Sequence, residues 1–210
     1  GEARLEALGT LANSWSQRDP TAALAWAETL SGTERVRALS SVLPSMAKDD
    51  PTSASKRLSA LLASPPDGMA TTLASSASTL ASTWAADDPA SAAAWSATLP
   101  DGPGKSQSLG AVASSWASYD AVATSQWIST LAAGEARDAA VKSLVQQVNQ
   151  TDPGTAFTWA ISISEPDDRT QQLETTLQSW KATDIHGART ALESSNLSEA
   201  EKTKLMKTLE

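Results

Sequence analysis

Residues 84–100 read WAADDPASAAAWSATLP, and the reading of this stretch decides the fold. An Asp followed by Pro punctuates a helix start. The carboxylate accepts an N–H of the first turn, and proline at the first helical position lacks only a donor that would have had no helical partner. Beyond Asp88, the residues Ala92, Trp95 and Leu99 recur at three and four, one face of a helix. Trp84, four residues before Asp88, closes the preceding helix. One helix therefore ends and another begins within a few residues.

The pattern recurs along the chain. Asp19, Asp50, Asp88, Asp120, Asp152 and Asp184 fall in register at steps of 31, 38, 32, 32 and 32 residues. Four residues before them stand Trp15, Met46, Trp84, Trp116, Val148 and Trp180. Seven residues after four of them stand Trp26, Trp95, Trp127 and Trp159, with Arg57 and Ala191 as exceptions. A repeat of about 32 residues follows, each unit a pair of short helices. The predicted first helices lie near 2–17, 33–48, 69–86, 104–118, 135–150 and 167–182. The predicted second helices lie near 20–30, 51–62, 89–99, 121–132, 153–163 and 185–194. The long step is absorbed around ASPPDGMATTLASSASTL, residues 63–80. Ser198, with Glu201 three residues later, opens a final helix as a capping box.

Short amphipathic helices cover their apolar faces by stacking, so the expectation is an all-α fold. It is an α-solenoid of about six 32-residue hairpins with a C-terminal capping helix. The units run near 1–31, 32–63, 64–100, 101–133, 134–165 and 166–197, with the cap at 198–210, in a single repeat domain. The sequence leaves open which set of helices lines the concave face.

Trp15 with Ala23 and Trp26, Trp84 with Ala92 and Trp95, and Trp116 with Ala123 and Trp127 resemble the short α/α units of tetratricopeptide-like bacterial helical repeat proteins. The period departs from that family's 34 residues, most units lack its first-helix glycine, and Asp-Pro replaces a looser turn. The resemblance covers the whole chain at the level of architecture. It implies scaffolding or peptide binding on a concave face, and carries over no ligand.

Composition narrows the function. With 16 Lys and Arg against 24 Asp and Glu, the formal charge is −8, which argues against broad nucleic-acid binding. The absence of cysteine excludes disulfides, thiol catalysis and Cys-based metal sites. No apolar run is long enough to span a membrane. A cytoplasmic and an envelope address fit equally. A chain opening at Gly1 without methionine reads as the repeat portion of a larger protein.

Two sets of residues stand out. The eight tryptophans, Trp15, Trp26, Trp84, Trp95, Trp116, Trp127, Trp159 and Trp180, read as hairpin core, because Met46, Val148 and Ala191 replace them in the same slots. Exposed tryptophans stacking on sugars are the alternative. A basic column, Arg4, Arg35, Lys105, Arg137 and Arg169, lies eleven residues before the first-helix position, broken only by Leu73. It would either pair locally with acids such as Glu34 and Asp168 or form a ladder of donors for an acidic peptide.

Other motifs carry no chemistry. His186 is the sole histidine, with Asp184 nearby and no distinctive nucleophile. A second His or Cys for a transition metal is missing. DGPGK at 101–105 lacks the rest of a phosphate loop. The expectation is therefore a non-catalytic scaffold without cofactor or metal, whose partner is another protein or an acidic peptide. The alternatives are an envelope carbohydrate binder and an architectural spacer.

Overall fold

A computed structural model describes all residues, 1–210. The fold is all-α, with packing mostly between helices close in sequence, a repeat-like helical architecture. In order the helices are α1 (Glu2–Ser16), α2 (Pro20–Thr29), α3 (Gly32–Val42), α4 (Pro51–Ala63), α5 (Ala70–Ala85) and α6 (Pro89–Thr98). Then follow α7 (Pro103–Ala117), α8 (Ala121–Ser129), α9 (Glu135–Val148), α10 (Pro153–Ile161), α11 (Pro166–Ser194) and α12 (Glu199–Met206). The chain divides into two compact units, Gly1–Ser115 and Trp116–Glu210.

One turn chemistry builds the hairpins. The N–H groups of Asp19, Asp50, Asp88, Asp120 and Asp152 donate to the carbonyl four residues back, at 2.8–2.9 Å. That bond fixes the four-residue spacing between the large apolar residue and the Asp. Each carboxylate then accepts the N–H three residues ahead, from Ala22, Ser53, Ser91, Ala123 and Thr155, at 2.9–3.0 Å. The Ser91 hydroxyl and N–H hold the Asp88 carboxyl below the usual carboxylate range, and the Thr155 N–H and hydroxyl do the same for Asp152.

The far end of the second helix has its own signature. Three residues beyond its Trp, a hydroxyl turns back to the Trp carbonyl: Thr29, Thr98, Thr130 and Ser162, each at 2.7 Å. Helices α8 and α10 stop at Ser129 and Ile161, short of the expected 132 and 163; beyond them the N–H groups of Thr130 and Leu131, and of Ser162 and Ile163, bond the carbonyls three residues back, a tighter turn.

One further element departs from the sequence reading. The helix expected over 33–48 is α3 followed by a tight 3-10 segment, Leu43–Ala47. Pro44 lacks the N–H that would bond the Ser40 carbonyl, and the Ser76 hydroxyl of α5 donates to that carbonyl instead, at 2.7 Å. The helices expected at 167–182 and 185–194 both lie within α11, which Asp184 interrupts with φ −153° and ψ 85°, close to the conformation of the other capping Asp residues. Ile185 follows Asp184 where four of the other units have proline and one has Ala121. Asp184 still accepts the Gly187 N–H, at 2.8 Å.

Two columns of the second helices pack the core. Four residues after the capping Asp stand Ala23, Ala54, Ala92, Thr124, Ala156 and Ala188, all at 0% exposure. Eight after it stand Ala27, Leu58, Ser96, Ile128, Ala160 and Leu192, also fully buried. Small side chains in the first column let helices approach closely, and the second supplies much of the apolar burial.

In the second unit, the buried Asp138 of α9 accepts the N–H groups of Ser164 and Glu165 at 2.9 and 3.2 Å. It thereby supplies acceptors at the start of α11 from another helix. The Ser198–Glu201 capping box opens α12. Bonds from the Ser198 hydroxyl, then the Arg169 guanidinium, push the Glu201 carboxyl down to about 2.

Candidate functional site

In the first unit α1, α3 and α5 run side by side. Arg4 pairs with Glu34, the Ser16 and Ser45 hydroxyls meet at 2.8 Å, and Ser76 reaches Ser40. Along these first helices lies a groove of about 900 Å³. Asn13, Ser16 and Gln17 line it from α1 and the turn beyond. Arg37, Ser40 and Ser41 enter from α3, and Lys48 from the turn that follows. The third wall is a hydroxyl row on α5: Thr71, Ser75, Thr79 and Thr83, spaced by four.

Helical hydroxyls usually return their hydrogen to the backbone, and here they do. Thr79 donates to the Ser75 carbonyl at 3.0 Å and Thr83 to the Thr79 carbonyl at 2.9 Å. Ser40 and Ser41 both donate to the Arg37 carbonyl. With their hydrogens so engaged, these oxygens present lone pairs to the groove.

Charge in the groove is the reverse of the chain's. Arg18, Arg37 and Lys48 line it against one carboxylate, Asp49. None of the three cations forms an ion pair. Arg37 is half-buried, and its Nε lies buried without a hydrogen-bond partner. A donor left so costs about 1–3 kcal/mol. Gly9 makes the position possible: a Cβ there would lie 2.6 Å from Arg37 Nε and 3.1 Å from its Cζ.

The basic column is largely engaged elsewhere. Arg4 pairs with Glu34 at 2.9 Å and Lys105 with Asp101 at 2.9 Å. Arg137 donates to the Ser162 carbonyl at 2.9 Å and lies 6.0 Å from the Trp159 ring. Arg169 donates to the Ile163 carbonyl at 3.0 Å and to Glu201 at 2.8 Å. Arg35 is exposed beside a smaller hollow of about 540 Å³ that Leu39 and Leu61 also line.

The tryptophans meet across their hairpin turns. Ring centroids lie 5.8 Å apart for Trp15–Trp26, 6.2 Å for Trp84–Trp95 and 5.8 Å for Trp116–Trp127. Trp180, opposite Ala191 in its own hairpin, packs on Phe157 at 6.0 Å. Trp95 is buried, and its Nε1 donates to the Ser59 hydroxyl at 2.9 Å. Trp15 is 36% exposed and the rest are half-buried. The deepest positions belong to leucine and alanine.

His186 is exposed, and the nearest acid, Asp184, is occupied in capping. The structure brings together no group of three or more His, Cys, Asp or Glu residues able to hold a metal ion. No helix is long and apolar enough to cross a membrane.

Sequence reasoning missed Gly9, Arg18, Arg37 and Lys48. Arg37, at position −13 from its capping Asp, corresponds to Glu6, Ser75, Gln107, Ala139 and Gln171 in the other units, so it forms no column to notice. The hydroxyl row at steps of four was a visible signal. Comparison with models of known protein families, with curated proteins and with solved structures found no match.

Proposed function

We propose that this chain is a non-catalytic protein-interaction module of the tetratricopeptide-like solenoid type, and that the groove on α1, α3 and α5 takes an extended acidic segment of a partner protein. The observation carrying this reading is a groove whose three cations lack carboxylate partners in a chain of net charge −8. A carboxylate suits the forked donors of Arg37, and the acidic remainder of the surface discourages nonspecific association with other acidic proteins.

The hydroxyl row supports an extended backbone. Four residues of helix rise about 6 Å, and two residues of extended chain advance about 6.7 Å. Alternate N–H groups of a strand along α5 therefore meet Thr71, Ser75, Thr79 and Thr83 nearly in step. Over the row, about 18 Å of helix spans five to six residues of peptide.

Fluorescence anisotropy with a labelled hexapeptide of alternating Ser and Glu tests this, against the same peptide with Gln for Glu. The Glu peptide is expected to bind, with affinity falling as salt rises. Arg37→Gln is expected to weaken it about 10- to 100-fold, the range of a charge-assisted bond. Equal binding of the Gln peptide, or an unchanged affinity in Arg37→Gln, refutes the acidic ligand. Failure of both peptides to bind refutes the groove.

A further inference from the structure

Arg35 is the member of the basic column whose charge is left free. Arg4 pairs with Glu34, which lies sixteen residues before Asp50. The residue sixteen before Asp88, where Arg35 would find the matching acid, is Thr72. Arg35 forms no ion pair, and it stands exposed at the hollow of about 540 Å³ on α3 and α4.

The walls of that hollow are apolar. Val36 and Leu39 line it from α3, Ala60 and Leu61 from α4, and Pro66 from the connection that follows. The Met69 N–H donates to the Pro66 carbonyl at 2.9 Å, and Gly68 takes φ 75° in the same turn. The long step of the repeat thus supplies a wall held by its own backbone. Arg57 also lines the hollow, at the position where other hairpins carry Trp26, Trp95, Trp127 and Trp159. Its guanidinium is drawn to Glu28, which neutralises it. The result is an apolar interior with one paired cation and one free cation.

We infer that this hollow binds a small apolar carboxylic acid, a linear medium-chain monocarboxylate, with its tail against Val36, Leu39 and Leu61 and its carboxylate on Arg35. The volume falls within the range of about 300–1,000 Å³ typical of small-ligand sites. A peptide would bring N–H and C=O groups that need partners once buried. Besides the two guanidiniums, the side chains around the hollow offer only the Thr33 hydroxyl. An alkyl tail asks for none, and its single anionic end matches the single free cation. The hollow shares no residue with the peptide groove, so the two readings stand or fall separately.

Calorimetry of the full chain with hexanoate, octanoate and decanoate, each below its micellar concentration, tests this. Affinity is expected to rise about two- to fourfold per added methylene, with shifts of the Val36, Leu39 and Leu61 methyl resonances. Octanol in place of octanoate, or Arg35→Gln, is expected to weaken binding about three- to tenfold. Ala60 is exposed, so Ala60→Trp is expected to keep the circular-dichroism spectrum while its indole fills the hollow and abolishes octanoate binding. Absence of binding by all three acids, or affinity independent of chain length, overturns the inference. Octanol binding as tightly as octanoate, or an octanoate affinity unchanged by either substitution, does the same. So does binding of an acetylated peptide ending in leucine where the free acids fail, since the site would then belong to a chain terminus.

Discussion

Gly9→Ala separates the stability of α1 from the placement of Arg37. Gly9 lies inside α1, where alanine is favoured over glycine by about 1 kcal/mol. The new Cβ would stand 2.6 Å from Arg37 Nε, 3.1 Å from Cζ and 3.2 Å from Nη2. Ordinary contact requires the guanidinium to retreat by about 1 Å. These atoms end a flexible side chain, so the move costs about 0.5–1.5 kcal/mol in rotamer strain and is offset by release of a buried donor. The melting temperature is therefore expected to change little, rising at most about 2–4 °C. The Arg37 Nε–H resonance is expected to shift and exchange faster with solvent, and affinity for the Ser-Glu peptide to fall toward that of Arg37→Gln. Calorimetry, nitrogen-15 NMR and anisotropy read the three effects. Destabilisation by more than about 2 kcal/mol with an unmoved Nε–H signal would refute the reasoning, because it would mean that α1, not Arg37, yields.

Two further predictions concern stability. Ser76→Ala removes the donor to the Ser40 carbonyl that Pro44 leaves free, so denaturant melts are expected to show a loss of about 1–3 kcal/mol. In the Pro44→Ala background the same substitution is expected to cost less, since the restored N–H can take that carbonyl. For Glu201, whose folded pKa is depressed to about 2, the capping contribution is complete above the ordinary carboxyl value near 4.5. It declines as pH falls below that value and is lost through about 2, below which both states are protonated. Hydrogen exchange along α12 is expected to accelerate over this window in the wild type and show no such step in Glu201→Gln.

The helices were legible because their signals are local. A capping Asp, a proline and a large residue four positions earlier act within one turn, and each copy repeats the message. Where the reading slipped, local chemistry had been passed over: Pro44 was read through, and the last turns of α8 and α10 tighten to three-residue backbone bonds at Thr130 and Ser162. The candidate groove was hardly legible, because it arises from differences between units. Arg37 matters for where α1 and α5 place their surfaces and for the missing side chain of Gly9, none of which has a period. The basic column shows the converse. It is periodic, yet Arg4, Lys105, Arg137 and Arg169 are each bound to neighbours that spacing alone does not choose.

The bond from Ser76 to the Ser40 carbonyl also bears on the order of events during synthesis. The second hairpin can form its turn at Asp50 and its α4 as soon as those residues emerge, but it then carries a main-chain oxygen that only water can serve. The hydroxyl that replaces that water lies 36 residues later in the chain, and Trp95 reaches back to Ser59 over the same interval. The second hairpin thus waits on the third, and on unfolding the two should part from the solvent-excluded state together. A repeat protein is often pictured as beads that fold one at a time; here a single proline makes two of the beads one cooperative step.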